Sequence, residues 1–206
     1  MKKVDLKKEF KNLYNSSSKE IEIVKVPMMN FLMIDGIGDP NTSKAYSDSI
    51  ETLYSVSYSI KFILKKEKEI DYVVMPLEGL WWAEDMGQFS TKNKDKWKWT
   101  SMIMQPDFVD KKVFEMAFEQ VKIKKNLLML SKIRFQSFNE GLSVQIMHIG
   151  PYFAEAPKIE KLHKFVKESG HNLRGKHHEI YLSDPRKTAP ERIKTIIRQP
   201  IEPIVL

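Results

Sequence analysis

The amino-acid sequence predicts an α+β protein in which one order of elements, β-helix-ββ, occurs twice around a linking helix. Three observations carry that expectation. Segments that alternate apolar and polar with period two are interleaved with segments whose apolar residues recur at threes and fours. The order of elements before the linking helix is the order after it. Matching turn strings also precede the two outer helices, Gly36-Ile37-Gly38-Asp39 in the first half and Gly150-Pro151-Tyr152 in the second. Two such pseudo-symmetric βαββ units pack about a pseudo-twofold axis, and a cleft at that axis is the expected ligand site.

Residues 1–18 are polar and basic and end in Ser16-Ser17-Ser18, which reads as a short N-terminal arm or amphipathic turn. One domain is expected over 19–206, with a first half near 19–108, a linking helix near 109–126 and a second half near 127–206. Ile21–Val26 and Phe31–Asp35 alternate as strands, with Pro27 expected to interrupt them. Ser43 is a good N-cap for a helix to about Lys66, where Tyr46, Ile50, Leu53, Tyr54, Ser57, Ile60 and Leu64 form one stripe. Asp71–Trp82 reads as a strand, followed by an acidic and then polar loop, and Lys96–Met104 as another. Asp110 caps the linking helix, whose stripe is Val113, Phe114, Ala117, Phe118 and Val121. Lys132–Phe138 and Ser143–Ile149 read as two strands joined by a hairpin-type loop at Asn139-Glu140-Gly141. A helix begins near Pro157 and stops before Gly170, with Ile159, Leu162, Phe165 and Val166 apolar. Ile193–Ile201 is the last strand.

Composition bounds the function. At 206 residues, 42% apolar and 30% charged, the chain has the balance of an ordinary globular protein. The absence of cysteine excludes disulfides, cysteine-ligated zinc and cysteine nucleophiles. No run approaches the roughly 18 apolar residues of a membrane span, and the N-terminus lacks a signal-peptide core, so a cytoplasmic protein is expected. The net charge of +7 comes from scattered lysines, and no RNA-binding or zinc-finger signature accompanies it. A solvated basic surface is the expectation, not direct nucleic-acid binding.

The chemistry-bearing string is His177-His178-Glu179-Ile180-Tyr181-Leu182-Ser183, closed by Asp184-Pro185. Its alternation puts Glu179 and Tyr181 on one face and His178, Ile180 and Leu182 on the other. With the aliphatic face packed on helices, Glu179 either floors a ligand site beside an aromatic ring or meets water. Glu78, near Trp81 and Trp82, has the same two readings. Trp81, Trp82, Tyr54, Tyr152 and Tyr181 are the aromatics best placed to stack on a flat or cationic ligand; core packing is the alternative for each. His148, between Ile146 and the turn, is either a satisfied core histidine or a ligand contact. His177-His178 lacks a third partner at metal-ligand spacing, so no metal and no cofactor are expected. Methionines such as Met28, Met29, Met102, Met104 and Met147 suit an adaptable core or pocket.

The strings HIGPY before a helix, HEIYLSDP, GIGDPN, PLEGLWW and MQPDFV, in that order of halves, resemble the GyrI-like small-molecule-binding domain family. The likeness runs from about Ile21 to Ile201 and is strongest to the stand-alone branch, whose members resemble cyclopropanoid cyclopropyl hydrolases. It implies a duplicated SHS2-type fold with a central cleft for large, planar, often cationic aromatic compounds. In the sensing branch a buried glutamate meets the ligand, and the position resembling it is Glu179. In the hydrolytic branch a strained cyclopropane in a genotoxin is opened, which is detoxification.

Two functions follow as expectations. One is a hydrolase in which Glu179 and Glu78, or one of them with Tyr152, orient water and assist the conjugated ketone. The alternative is a non-catalytic multidrug sensor or sequestering protein, without a DNA-binding domain of its own because 18 residues are too few for a helix-turn-helix. Gyrase inhibition, which the family name implies, finds no supporting residue pattern. A monomer or a homodimer fits either function.

Overall fold

The computed structural model describes residues 1–84 and 94–204. The chain divides into two compact units, Met1–Glu9 with Met29–Phe138 and Phe10–Met28 with Asn139–Leu206. The polar loop expected after Trp82 falls, over 85–93, outside the described residues.

The first unit holds β1 (Lys2–Val4), α1 (Leu6–Glu9), the second part of β2 (Glu22–Ile37), α3 (Lys44–Glu67), β3 (Ile70–Tyr72), β4 (Leu77–Trp82), β5 (Lys98–Gln105) and α4 (Lys111–Lys124), while α2 (Lys11–Tyr14) belongs to the second unit. β1 runs parallel to β3, and β5 pairs antiparallel with β2 on one side and β4 on the other. Ser43 caps α3 as expected, accepting from the Tyr46 amide, and Asp110 caps α4 by accepting from Val113. The core side of α3 is Leu53, Val56, Ile60 and Leu64, all fully buried. Each such burial is worth about 1.5–3 kcal/mol. Polar contacts set its register on β5: Ser49 Oγ donates to Ser101 Oγ at 3.3 Å, and Gln105 Nε2 to Ser57 Oγ at 3.2 Å. Gly36 is obligatory here, because a Cβ at that position would stand 2.2 Å from the Trp99 ring.

The second unit holds α2, the first part of β2, most of β6 (Arg134–Ile149), α5 (Ala156–Glu168), β7 (His171–Leu173), β8 (His177–Tyr181) and β9 (Lys194–Pro203). β9 pairs antiparallel with β6, β8 and β7. Val144, Ile146, Ile197 and Ile201 of the sheet meet Leu162 and Val166 of α5 in a core from which water is excluded.

Four expectations are corrected. Pro27 does not interrupt a strand: β2 is continuous, and Pro27 and Met28 are successive exposed residues where the burial alternation slips phase. An exposed position tolerates the missing N–H, so a proline there need not end the strand. Asn139-Glu140-Gly141 is not a hairpin loop either. β6 runs straight through it, with Gly141 at φ +75° supplying the one conformation a side chain disfavours. The strand read over Asp71–Trp82 is two, β3 and β4, separated by residues 73–76 with Pro76 at the break. Residues 1–18 carry β1, α1 and α2, with Leu13 and Tyr14 buried.

The fourth correction concerns faces. Cross-strand partners share a face, so Glu179 stands with Ile197 and Ile146, and Tyr181 with Thr195 and His148. Ile146 and Ile197 are the residues packed on α5, so the Glu179 face looks toward the helix, opposite to the sequence expectation. The aliphatic-looking face of β8 instead carries a buried ionic network. Glu140 Oε1 lies 2.8 Å from His178 Nδ1, and Arg198 Nη1 donates to Glu140 Oε2 at 3.1 Å. Arg198 also donates to Gln145 Oε1 at 3.0 Å and to the Leu13 carbonyl at 2.7 Å. That last bond ties α2 to this face, and a fully buried arginine is tolerated only with such complete pairing.

Candidate functional site

In the second unit the polar groups gather where α5 begins. The backbone puts them there: β8 delivers His177, Glu179 and Tyr181 to one face at period two, and Gly150-Pro151 turns the chain so that Tyr152 and Glu155 precede the helix. His177 Nε2 lies 3.1 Å from Glu179 Oε1, and the Tyr181 hydroxyl donates to Glu179 Oε2 at 2.8 Å. The Tyr152 and Tyr181 rings meet edge to face, 5.7 Å between centroids. His148 Nε2 lies 3.2 Å from the Pro151 carbonyl, holding the turn. Thr195, between the positions of His148 and Tyr181, is fully buried, and its hydroxyl makes no hydrogen bond among the described residues. A buried hydroxyl of this kind can serve a bound oxygen.

Glu155 completes the cluster. It occupies the N-cap position of α5, and its carbonyl accepts from Lys158 and Ile159 at 2.9 and 3.1 Å. Its side chain makes no capping bond. The buried side chain is instead one of the groups that act on the Glu179 carboxyl.

The electrostatics of the cluster follow. Burial alone would push the Glu179 carboxyl up, but hydrogen bonds from His177, Tyr181 and Glu155, with the His177 charge, hold it below the usual carboxylate range. With 16% of its side chain exposed, Glu179 is reachable by a ligand and still largely dry. Tyr152 is pushed up to about 12 by burial and by the negative charges of Glu155, Glu179 and Asp184, so its hydroxyl is a donor at neutral pH. His163, behind His177 on α5, is held below its ordinary value by burial and by the charges of His177 and Lys167.

In the first unit, register separates residues the sequence placed side by side. Trp81 pairs with Trp99 and faces α3, where Tyr46 meets it at 5.5 Å between ring centroids and meets Trp99 at 5.1 Å. Trp81 and Trp99 are buried, and Trp97 packs edge-on against Trp81 at 5.9 Å. Glu78 pairs with Met102 and stands on the opposite face, with Leu80 and Trp82 of β4 and Met33 of β2. Glu78 is fully buried and Trp82 half-buried. Tyr54 lies away from the core side of α3, stacked on Tyr58 at 6.3 Å.

Of the predicted site residues, Glu179, Tyr152, Tyr181 and His148 therefore converge in one unit. Glu78, Trp81, Trp82 and Tyr54 belong to the other unit, on three different surfaces of it. Glu155, His177 and Thr195 escaped the sequence reading as site members. The one available signal for Glu155 was a glutamate, not Ser, Thr, Asp or Asn, immediately before a helix. Among the described residues no three His, Asp or Glu side chains are grouped to hold a metal ion, and no helix is long and apolar enough to cross a membrane.

Against known proteins, residues 19–202 match the family model described as GyrI-like small molecule binding domain. A conserved protein of uncharacterised function from Listeria innocua is 42% identical, with a TM-score of 0.90 over 97% of this chain and 100% of its own. A second structure, described as a hydrolase from Listeria innocua, is also 42% identical, with a TM-score of 0.87 over 98% of this chain and 100% of its own. A third, likewise described as a hydrolase from that organism, is 39% identical, with a TM-score of 0.84 over 97% and 100%. The C-terminal domain of EcmrR shares the fold at 15% identity and a TM-score of 0.56, over 90% of this chain and 98% of that one. No curated protein matches the chain.

Proposed function

Because the chain belongs to the GyrI-like small-molecule-binding family, we propose that it takes a planar, hydrophobic aromatic compound against the Glu179 cluster and opens a strained cyclopropane in it with water. The carrying observation is a carboxylate held by His177 and Tyr181 yet reachable from outside. The two Listeria innocua proteins described as hydrolases support a reaction over simple capture.

In this reading the units are two βαββ copies, with α4 linking them. The substrate's cyclopropane is fused to a conjugated ketone. Water attacks the ring methylene, a ring C–C bond breaks, and its electron pair moves into the ketone oxygen, which becomes a phenolate. Glu179 accepts the proton that water loses, and the phenolate takes one from solvent, so the sum is addition of one water. Positioning of that water and removal of its proton are what the protein supplies. Aromatisation drives the remainder. Tyr152 and Tyr181 offer ring faces and edges to a flat ligand. Glu78, fully buried beside Met33 and Met102, is assigned no part in the bond change.

The test is incubation with a duocarmycin-type cyclopropane compound, following mass, for the native protein beside Glu179→Gln and Glu78→Gln. A gain of one water by the native protein that is lost in Glu179→Gln supports the reading. Tight binding with no mass change sinks it and leaves a sequestering protein.

A further inference from the structure

The side of α3 turned away from its unit's core carries a stripe that the Glu179 cluster does not use. Leu53, Val56, Ile60 and Leu64 are buried on the core side. Opposite them, Glu51, Tyr54, Tyr58, Phe62 and Lys65 follow one another at steps of three, four, four and three residues. At 3.6 residues per turn, all five point within about 40° of Tyr58. Tyr58 and Phe62 are 47% and 59% exposed. The rings stack along the helix, 6.3 Å from Tyr54 to Tyr58 and 6.5 Å from Tyr58 to Phe62, with interplanar angles of 30° and 28°. α4 leaves Tyr58 and Phe62 uncovered. Its polar bonds to α3 run along one flank, with Ser59 donating to Gln120 at 3.2 Å and Lys125 to Ser55 at 3.0 Å.

We propose that this stripe is a homodimer interface, on which α3 of a second copy lies antiparallel about a twofold axis at Tyr58.

The order of residues in the stripe selects a second copy as the partner. Under a twofold axis at Tyr58, a residue some positions before it faces the residue as many positions after it on the other copy. Tyr54 and Phe62 are each four positions away, so each meets the other across the axis. Glu51 and Lys65 are each seven positions away and carry opposite charges. A Tyr58–Tyr58 contact is thus flanked by two aromatic pairs and closed at both ends by ion pairs. The aromatic pairs lie about 6 Å and the charged pairs about 10 Å from the axis along the helix. Helices crossing at about 20° stay in contact over that span. A parallel arrangement would set Glu51 on Glu51 and Lys65 on Lys65, and like charges suppress it.

The charges are available. Glu51 is exposed. Lys65 lies 3.0 Å from Asp71, but Lys61 holds the same carboxylate at 3.2 Å, so Lys65, 43% exposed, is able to turn outward. The aromatic stack is already formed in the single chain, so little side-chain freedom is lost on docking. Rigid aromatic side chains are also what the centres of interfaces favour. One helix crossing is a small interface, below about 1,200 Å² in total, so the dimer is expected to exchange with monomer at a Kd on the order of 10 μM.

The test is sedimentation equilibrium at low salt, over concentrations from about 1 to about 500 μM, which bracket that Kd. The mass is expected to rise from the 24.2 kDa of one chain toward twice that value. Tyr58→Arg, which sets two cations together on the axis, should remain monomeric, with its circular dichroism and Tm compared with native to confirm folding. Glu51→Lys and Lys65→Glu should each weaken association by at least about tenfold, because each sets like charges opposite one another. The double variant, with the charges exchanged, should recover to within about threefold of native. Fourteen residues apart, about 21 Å along the helix, the two side chains cannot pair within one chain, so recovery requires a second copy. A native protein that stays monomeric throughout overturns the proposal and leaves the stripe to a different partner. A dimer indifferent to Tyr58→Arg, or one weakened by the single exchanges and not restored by the double, overturns it as well. No substrate enters these measurements, so their outcome is independent of the hydrolase reading.

Discussion

β4 and β8 each carry a glutamate flanked by aromatic residues, and each pairs beside a longer strand, yet the two carboxylates have opposite surroundings. Glu179 looks toward its unit's helix and is met there by His177 and Tyr181. Glu78 looks away from α3 and stands fully buried on the face of Leu80, Met33 and Met102. One step of register is the whole difference, because side chains alternate strictly along a strand. Likeness of the local strings LEGLW and HEIYL therefore does not make the carboxylates equivalent. The helix-facing glutamate is partly exposed and can handle protons; the other is fully buried. The helix-averted face of β8 is occupied by the Glu140–His178–Arg198 network.

The largest effect that would sharpen this comparison is on stability. Glu140→Ala leaves Arg198 and His178 without their acid, and should cost about 3–5 kcal/mol, as broken buried pairs do. A shifted denaturant midpoint at unchanged slope is the readout. The same pairing predicts an acid dependence of definite sign. His178 and Arg198 outweigh burial and hold Glu140 at about 2, against its ordinary 4.5. Its contribution is complete above the ordinary value and is lost as pH falls from about 4.5 toward about 2. Stability that stayed flat over that window would break the assignment.

Next comes catalysis. Glu179→Gln should lower kcat on the order of 10²-fold or more, the scale of a lost general base. Glu78→Gln should leave kcat nearly unchanged. Equal losses of kcat in the two variants would mean that both carboxylates serve the bond change, and the contrast drawn from register would be wrong. Tyr181→Phe removes one donor from Glu179 and so raises its carboxyl. The acid limb of the rate profile should move to higher pH, with a smaller loss at the optimum.

The smallest effect compares the helix starts. Ser43 caps α3, so Ser43→Ala should cost about 1 kcal/mol. Glu155 provides no side-chain cap for α5, so Glu155→Ser should instead gain up to about 1 kcal/mol. Thermal unfolding measures both. A Glu155→Ser protein that is less stable would indicate that the carboxyl is needed for the fold.

Much of this was legible in order along the chain. The helices near 43–66, 109–126 and 157–169 stand where the three-and-four periodicity and the caps Ser43 and Asp110 put them. The family, too, was legible from five short strings. Strand continuity was not. Pro27 and Asn139-Glu140-Gly141 look like breaks by local chemistry, yet pairing carried β2 and β6 through both. The buried network had one visible trace, Arg198 inside the apolar run Ile196-Ile197-Arg198-Gln199-Pro200, which called for an acid without saying where.

The sequence by itself determined the type and order of elements, because helix periodicity, caps and alternation are local properties of neighbouring residues. It also determined that Glu179 and Tyr181 share a face, since that needs only a strand. Tertiary structure alone decided which face meets α5. It also brought Tyr152, on the turn before α5, against Tyr181 of β8. Both depend on strand register and helix docking, which sum weak contacts over many distant residues and leave no mark in any short window.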